Sequence, residues 1–442
     1  MKKAALHNLG CKVNAYETEA MQEILVHAGY EIVDFHEIAD VYVINTCSVT
    51  NIADRKSRQM IHQAKKRNPN GIVVAAGCYV QTSEEKAKLD PAIDVILGNN
   101  QKNLLLSKIE AAFAARESNE NTTVEAIFDI NKERTVFEEM QLSSTAEHTR
   151  AFIKVQDGCN QFCTYCIIPY ARGRIRSRKI DDVIRELTNL ANRGFKEVVL
   201  NGIHLSSYGV DLEEDITLID LIRKVHQIKG IERIRLGSLE PKIVTEEFAK
   251  ELSKLYKICP HFHLSLQSGC DETLKRMNRK YTTMEYFRGC ELLRKYFDNP
   301  AITTDVIVGF PGETEEEFAQ TKAFLESVQF YEMHIFPYSR RKGTPADRMK
   351  DQVADQIKKE RSHILLSLEK QMSKEYRDGY VGTTVEVLME EPYEYEGKEY
   401  YVGYTKTYAK IAVPAKANYT NQIVSGTVTG YLQDDILLME IR

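Results

Sequence analysis

The 442-residue sequence has no uninterrupted apolar segment near the ~20 residues that a membrane-spanning helix requires. After Lys2 and Lys3 the first apolar run stops at His7 and Asn8, which is too short for the core of a signal peptide. The chain also lacks low-complexity segments and an excess of basic residues, since its formal net charge is −5. We therefore expect a cytoplasmic protein with no membrane partner, in which only local basic patches could bind nucleic acid.

Cysteine occurs nine times, an odd number that argues against a framework of disulfide bonds. In a long chain without a secretion signal, thiols are more often metal ligands or core residues. Cys259, Cys270 and Cys290 fall near predicted strands and helices and are predicted to pack in the core. The other six cysteines form two groups of three, and their positions carry most of the functional information.

The order of apolar patterns divides the chain, and a prior of roughly 150 residues per domain also suggests about three domains. Residues 1–115 alternate short apolar strands with helical patterns, which predicts an α/β fold with a doubly wound N-terminal domain. Residues 116–145 lose this rhythm and are interpreted as a connector. Residues 146–372 predict a partial (β/α)6, TIM-like barrel, and residues 373–442 predict a small, open five-stranded β-barrel.

The barrel prediction rests on six apolar segments separated by helical patterns, followed by a long amphipathic helix at about 354–377. The six segments are 152–156, 197–201, 232–237, 262–266, 302–309 and 332–336. In such a barrel the functional site lies at the carboxyl ends of the strands. Residues that directly follow these segments are therefore the first candidates for chemistry.

Three cysteines follow the first of these strands in the segment 158–166, Gly-Cys-Asn-Gln-Phe-Cys-Thr-Tyr-Cys. The loop can wrap the thiolates of Cys159, Cys163 and Cys166 around a four-iron cluster and leave one iron without a protein ligand. An open metal position is what catalysis requires, whereas structural sites are closed. A zinc knuckle would need a fourth Cys or His nearby, which the loop lacks, and three buried thiols are the other alternative. The spacing favours an iron–sulfur site.

This loop resembles the signature of radical S-adenosylmethionine (SAM) enzymes. The resemblance implies that the open iron chelates the methionine moiety of SAM, whose reductive cleavage yields a 5′-deoxyadenosyl radical. It also implies that Tyr165 contacts the adenine, and residues 305–313 resemble the Gly-rich strand on the adenine side. Ser238, Glu240 and Gln267 stand near the ends of the third and fourth barrel strands. They are candidates for hydrogen bonds to SAM, with ordinary strand-end hydrogen bonds as the alternative.

A second group of three cysteines is spread over the first region. Cys11, Cys47 and Cys78 each stand just past the carboxyl end of a predicted parallel strand. Because these ends converge on one crevice of an open α/β sheet, we expect the three thiolates to hold a second cluster, again with one open iron. The alternative is that each thiol is simply buried in the core.

With both groups of cysteines and a C-terminal β domain, the chain resembles the methylthiotransferases over nearly its whole length. The resemblance implies that the first-region cysteines hold an auxiliary cluster that delivers sulfur, and that the last domain is an RNA-binding TRAM-like domain. Three segments are similar to the type that acts on threonylcarbamoyladenosine in tRNA: residues 9–14 (Leu-Gly-Cys-Lys-Val-Asn), 167–173 (Ile-Ile-Pro-Tyr-Ala-Arg-Gly) and 237–241 (Gly-Ser-Leu-Glu-Pro). The isopentenyladenosine type would have Gly-Cys-Gln-Met-Asn at the first cysteine, and the ribosomal-protein type would have Gly-Cys-Pro-Lys-Asn.

Four arginines, Arg172, Arg174, Arg176 and Arg178, follow the cluster loop with no acidic residue among them. A solvated charged face is the ordinary explanation of such a run. Since the run adjoins a strand end where the barrel site opens, we expect it to form a positive rim that binds RNA phosphates. The β domain from Ser373 onward has more acidic than basic residues, so its tyrosines and a local patch would have to bind tRNA.

The resemblance implies conversion of N6-threonylcarbamoyladenosine 37 in tRNA to its 2-methylthio derivative, with two 4Fe–4S clusters and SAM as cofactors. No catalytic side chain is assigned beyond the cluster ligands. The implied partners are the tRNA anticodon loop and a low-potential electron donor such as flavodoxin or ferredoxin, and the protein is expected to be a monomer. The alternatives are an isopentenyladenosine tRNA or a ribosomal-protein aspartate as substrate, and a non-catalytic iron–sulfur RNA-binding protein.

Overall fold

The strands belong to three sheets and one barrel in the part of the chain that the computed structural model describes, residues 1–118, 122–132, 135–142 and 149–441. In chain order the strands are β1 (Lys3–Asn8), β2 (Glu31–Ile32), β3 (Val41–Thr46), β4 (Ile72–Gly77), β5 (Val95–Leu97), β6 (Val124–Ala126), β7 (Arg150–Asp157), β8 (Arg176–Ser177), β9 (Glu197–Gly202), β10 (Arg233–Leu236), β11 (His261–His263), β12 (Ala301–Val308), β13 (Glu332–Pro337), β14 (Thr384–Tyr395), β15 (Lys398–Thr405), β16 (Lys410–Pro414), β17 (Ile423–Gln433) and β18 (Ile436–Ile441).

The α-helices alternate with the strands through the first two-thirds of the chain. They are α1 (Lys12–His27), α2 (Asn51–Arg67), α3 (Cys78–Thr82), α4 (Glu84–Lys88), α5 (Leu105–Glu117), α6 (Ile168–Arg172), α7 (Ile180–Asn192), α8 (Leu218–His226), α9 (Glu246–Ser253), α10 (Asp271–Arg276), α11 (Thr283–Tyr296), α12 (Glu315–Val328) and α13 (Asp355–Asp378). The last of these is the long helix predicted at 354–377. No described helix is both long and apolar enough to cross a membrane.

The first sheet is entirely parallel, with the strand order β2-β1-β3-β4-β5-β6. Alternate residues of β3 and β4 pack into two separate apolar clusters, one on each face of the sheet. This explains why both strands are continuous apolar runs, and it confirms the doubly wound α/β fold. The predicted connector supplies β6 to the sheet. Its limits stay a prediction, because residues 119–121, 133–134 and 143–148 lie outside the described residues.

The central region contains the six predicted parallel strands β7, β9, β10, β11, β12 and β13. They form two sheets, β10-β9-β7-β8 and β11-β12-β13, which parallel bridges at Ile234–Ile258 and Leu239–Leu264 join into one curved wall. The prediction of a partial barrel is therefore confirmed. The short strand β8, which the sequence did not predict, pairs antiparallel with the end of β7. α13 buries Leu365 and Met372 in the main apolar core.

The C-terminal strands form a closed barrel in the order β14-β15-β16-β18-β17. The sequence favoured an open barrel, and this detail is wrong. β14 pairs with both β15 and β17. A bulge between Met389 and Glu391 bends this strand, so that it can pair with a different neighbour on each edge. β18, which the sequence did not identify, completes the circle by pairing with β16 and β17.

Candidate active site

The central cysteine loop, residues 158–166, leaves the carboxyl end of β7 and is held by contacts of its own backbone. Gly158 has a φ of +72°, and a Cβ there would lie 1.8 Å from the carbonyl oxygen of Arg174. Only glycine fits this position, both for its φ and for the available space. The N–H of Cys159 donates to the carbonyl oxygen of Gly173 at 3.0 Å. The start of the loop is therefore anchored to the segment that follows α6.

The three central thiols lie close together, and those of Cys159 and Cys163 accept hydrogen bonds from N–H donors. The backbone N–H of Gln161 donates to Cys159 Sγ, and Arg279 Nη1 donates to Cys163 Sγ, each at 3.4 Å. Burial, with the neighbouring Cys163 thiol, raises the pKa of Cys159 to about 11 and that of Cys166 to about 12. N–H donors around clustered sulfurs are what stabilises thiolate ligands of an iron–sulfur cluster. The donor set therefore fits such a cluster.

Cys11, Cys47 and Cys78 come together at the carboxyl edge of the first sheet. Cys11 is the N-cap of α1, Cys47 follows β3, and Cys78 begins α3 directly after β4. A Cβ at Gly10 would lie 3.0 Å from Cys47 Sγ, so the backbone next to Cys11 passes close to the side chain of the second cysteine. Burial, with contributions from the Cys78 and Cys11 thiols, raises the pKa of Cys47 to about 11. Cys11 is exposed and the other two are buried, which leaves one accessible side to this group.

Asn99 links the two cysteine groups. Its Nδ2 donates to Cys78 Sγ at 3.5 Å and to the carbonyl oxygen of Ala171 at 2.8 Å, and the residue is fully buried. Ala171 belongs to α6, just after the central cysteine loop. The sequence analysis missed Asn99, although a signal exists: like the cysteines, it stands just past the carboxyl end of a parallel strand, here β5.

Arg172 is completely buried between the two cysteine groups. Its Nη1 donates to Glu17 Oε1 at 2.9 Å and to Asp157 Oδ1 at 3.1 Å, and its Nη2 donates to Asn14 Oδ1 at 2.6 Å. Glu17 and Asn14 lie on α1, which begins after Cys11, and Asp157 ends β7 before the central loop. The guanidinium group therefore ties both cysteine groups to one ionic network.

Glu17 is the anionic centre of this network. It accepts hydrogen bonds from Arg172 and pairs with Lys154 Nζ at 2.7 Å and Lys102 Nζ at 3.0 Å. Burial opposes its ionisation, but the charges of Arg172, Lys102 and Lys154 hold the pKa of Glu17 well below its usual range. All four side chains are fully buried or nearly so, so the network forms the interior of the contact between the first sheet and the barrel.

The expectation that four arginines form an RNA-binding rim is wrong for three of them. Arg172, Arg176 and Arg178 are buried, and Arg178 forms an ion pair with Glu186. Their acidic partners, Glu17, Asp157 and Glu186, lie on elements outside the run, which is why the run itself contains no acid. Arg174 is exposed, and its guanidinium lies 4.6 Å from the centre of the Phe162 ring in the cluster loop. It alone of the four presents its charge to solvent.

Tyr165 lies beside the segment 305–313, as the resemblance implies for an adenine site. Its ring meets that of Phe310 edge to face at 6.3 Å, within a small apolar cluster that includes Met277 and Tyr338. Gln267 adopts φ +72° and is buried, and its backbone N–H donates to the carbonyl oxygen of Asp305 at 2.8 Å. Both residues thus face the strand that ends in the Gly-rich segment.

Ser238 and Glu240 lie between β10 and the next short helical turn. Ser238 is exposed, while Glu240 is half-buried and accepts from the backbone N–H of Lys242 at 3.1 Å. Burial raises the pKa of Glu240, and the Arg279 guanidinium opposes this effect. Since Arg279 also donates to Cys163, Glu240 and the cluster loop face the same guanidinium group.

The sequence analysis also missed residues inside the barrel. Burial, together with the Arg279 charge, lowers the pKa of His204 to about 4, and its Nδ1 lies 2.6 Å from Ser207 Oγ. His263, Asp305 and His334 lie on β11, β12 and β13, with one side-chain ligand atom from each within 4.8 Å of the others. The sequence did contain a signal for this group, because polar residues occur at facing positions of three neighbouring predicted strands. They give the barrel interior a polar wall.

Family comparisons agree with this architecture. The model described as "Radical SAM superfamily" matches residues 153–325, and the one described as "Uncharacterized protein family UPF0004" matches residues 3–98. Among solved structures, the radical S-adenosylmethionine methyltransferase TsrM from Kitasatospora setae superposes with a TM-score of 0.57 at 15% identity, covering 78% of this chain and 74% of its own. Fold and cysteine loop together define a radical SAM enzyme.

Curated relatives extend over almost the whole chain. Threonylcarbamoyladenosine tRNA methylthiotransferase MtaB from Bacillus subtilis is 43% identical over 96% of this chain and 93% of its own length. MtaB from Aquifex aeolicus is 43% identical over 88% and 92%. tRNA-2-methylthio-N(6)-dimethylallyladenosine synthase from Acetivibrio thermocellus is 37% identical over 88% and 81%. The chain belongs to the radical SAM methylthiotransferase family, in its MtaB branch.

Proposed function

We propose that this enzyme converts N6-threonylcarbamoyladenosine 37 of tRNA to its 2-methylthio derivative, using two 4Fe–4S clusters and SAM. The observation that carries the proposal is the pair of three-cysteine groups on either side of one buried ionic network, linked by Asn99. Three thiolates leave one iron of a four-iron cluster open, so two such groups provide one iron for SAM and one for sulfur. The relatives named MtaB support the choice of nucleoside.

In this proposal the central loop holds the SAM-binding cluster and the first-region cysteines hold the auxiliary cluster. The ligands are Cys159, Cys163 and Cys166 for the former and Cys11, Cys47 and Cys78 for the latter. When bound, the first cluster and SAM supply the one-electron chemistry that activates the adenine C–H bond. A side-chain base could not replace them, because that bond is not acidic.

The remaining candidate residues position these groups. Arg279 places a positive charge at Cys163 and thereby stabilises the thiolate form. The Tyr165 ring provides an apolar face for the adenine of SAM. Ser238, Glu240 and Gln267 provide polar groups at the strand ends for its ribose and amino acid parts.

The RNA would meet the enzyme where an exposed aromatic and cationic surface borders the central loop. Arg174 lies over Phe162, whose ring contacts that of Tyr170 at 5.8 Å, and the Tyr170 side chain is 39% exposed. Aromatic and guanidinium faces stack on unpaired bases, and a loop nucleotide can be splayed out for recognition. We further propose that the enzyme is a cytoplasmic monomer that acts on tRNA. Its reductant would be a flavodoxin or a ferredoxin.

The deciding experiment is product analysis with reduced, cluster-reconstituted enzyme, SAM and a sulfide source. Substrates are tRNA with threonylcarbamoyladenosine, tRNA with isopentenyladenosine, and ribosomal protein. We expect mass spectrometry to find the 2-methylthio product only in the first reaction, together with methionine and 5′-deoxyadenosine. Product only from another substrate would assign the enzyme to that substrate. The absence of 5′-deoxyadenosine in all reactions would favour a non-catalytic iron–sulfur RNA-binding protein.

A further inference from the structure

Lys12 extends from the first cysteine group towards the barrel. It directly follows Cys11 and begins α1, and its Nζ lies 5.9 Å from the centre of the Phe152 ring on β7. The residue is exposed to solvent, so a ligand can reach the ammonium group. Lys12 therefore joins the auxiliary cysteine site to the wall of the barrel without being part of either core.

The barrel wall near Lys12 carries two arginines beside an aromatic ring. Arg150 on β7, Arg235 on β10 and His261 on β11 surround the ring of Tyr408, with distances to its centre of 4.9, 4.6 and 5.1 Å. The Tyr408 ring belongs to the segment between β15 and β16 of the C-terminal barrel, and Arg235 also donates to the carbonyl oxygens of Lys406 and Thr405. The group therefore lies where the C-terminal barrel meets the central strands, close to Lys12.

The two acidic groups beside these arginines are already paired with them. Arg235 Nε donates to Glu197 Oε1 at 2.8 Å, and Arg150 Nε pairs with Glu390 Oε1 at 2.7 Å. Among the described residues, Lys12 has no partner in an ion pair or hydrogen bond, and its ammonium group lies over the Phe152 ring.

An unpaired ammonium group among other cations is stabilised by an anionic ligand. The proposed substrate supplies one, because the threonylcarbamoyl group ends in a carboxylate, whereas an isopentenyl group is neutral and apolar. Carbon 2 of adenine and the carbon that bears N6 are separated by a single ring nitrogen. The carboxylate is joined to N6 through the carbamoyl carbon, the amide nitrogen and Cα, so a residue that binds it lies on the same side of the site as the sulfur donor, and Lys12 is the residue next to Cys11.

We propose that Lys12 binds the carboxylate of the threonylcarbamoyl group and thereby selects adenosines with an anionic N6 substituent. This inference rests on the proposed function and names the residue that determines its substrate class. Lys12 acts as a binding residue, and no step of the chemistry passes through it.

The test measures binding of reconstituted enzyme to three forms of one tRNA. These carry threonylcarbamoyladenosine, its methyl ester, or unmodified adenosine at position 37. We expect wild type to bind the acid about tenfold or more tightly than the ester, which corresponds to about 1.4 kcal/mol per tenfold. Equal binding of acid and ester by wild type would overturn the inference without any variant.

The matched variants are Lys12→Gln, Lys12→Arg and the control Lys86→Gln, which changes an exposed lysine on α4. We expect Lys12→Gln to abolish the preference for the acid, Lys12→Arg to keep most of it, and Lys86→Gln to keep all of it. Iron content should stay at the wild-type value in all three. A Lys12→Gln variant with intact iron and an unchanged preference would refute the role of Lys12.

The two levels of the proposal fail in different ways. If wild type does not convert the threonylcarbamoyl tRNA at all, the proposed function is wrong and the inference falls with it. If wild type converts this tRNA while Lys12→Gln retains the same preference for acid over ester, only the inference is wrong.

Discussion

The two cysteine groups of this enzyme are built in opposite ways. One comes from a single nine-residue loop after β7, and the other is assembled from the ends of three consecutive strand–helix units of the first sheet. In the loop, ligand spacing is set by local backbone geometry. In the sheet, it is set by strand register, and therefore by the packing of the whole domain. A metal site of the first kind can be recognised from spacing alone, whereas one of the second kind requires the fold.

The two groups are nevertheless positioned by one set of buried side chains. Arg172 follows the central loop and contacts Glu17 on α1, the helix that Cys11 caps. Asn99 contacts Cys78 and the backbone of α6. Because each group has its own three thiols, we expect cluster binding at the two sites to be independent, whereas the position of one site relative to the other depends on these shared buried contacts.

Replacing either cysteine group gives the largest expected effect and tests the independence of the two sites. Reconstituted wild type should contain about eight irons, as two four-iron clusters require. Cys11/Cys47/Cys78→Ala should contain about four and still cleave SAM, because the central loop is intact. Cys159/Cys163/Cys166→Ala should also contain about four but should not cleave SAM. The measurements are iron and sulfide content and 5′-deoxyadenosine formation.

About four irons in both wild type and Cys11/Cys47/Cys78→Ala would leave a one-cluster enzyme and remove the basis for sulfur insertion. Loss of all iron from either triple variant would show that the sites are not independent. The triple variant Cys259/Cys270/Cys290→Ser is not a suitable control, because these three thiols are buried in the core. The second triple variant serves as the control for the first.

Removing Glu17 tests the shared network. Glu17→Ala leaves Arg172, Lys102 and Lys154 buried without their central anion, so we expect the free energy of unfolding to fall by about 3–5 kcal/mol. Urea denaturation measures the change. As a control, Glu110→Ala on the exposed face of α5 should alter it by less than about 0.5 kcal/mol. Similar small effects of both variants would mean that the network does not hold the two regions together.

The same network predicts how the stability of the fold depends on pH. The pKa of Glu17 in the folded protein lies well below its unfolded value, so its stabilising effect is present at neutral pH and is lost as the pH falls below about 4.5. Glu17→Gln cannot lose a charge on acidification. Its free energy of unfolding should therefore fall less steeply than that of wild type between about pH 5 and pH 3, roughly the range in which carboxylates titrate. Parallel pH profiles would contradict this assignment.

Sequence reasoning succeeded where the determinants are periodic or local. The apolar runs of β3 and β4 and the spacing of the central cysteines required no knowledge of distant contacts. It failed where a residue's partner lies outside the local run: Arg172 pairs with Glu17 on α1, and Arg178 pairs with Glu186 on α7. The closed C-terminal barrel was missed for a related reason, because closure depends on a bulge in β14 and on the pairing of β18.

The smallest expected effect comes from replacing the exposed Arg174, and it differs in kind from the effect of replacing one of the buried arginines near it. Arg174→Ala removes a solvent-exposed charge over Phe162, so we expect tRNA affinity to fall a few-fold and the slope of log K against log salt to decrease by about 1, with stability unchanged. Arg178→Ala instead leaves Glu186 buried without its partner, so it should destabilise the fold before RNA binding is affected. Binding at several salt concentrations and urea denaturation separate the two effects. If Arg174→Ala binds tRNA like wild type at every salt concentration, the surface beside the cluster loop is not where the RNA phosphates lie.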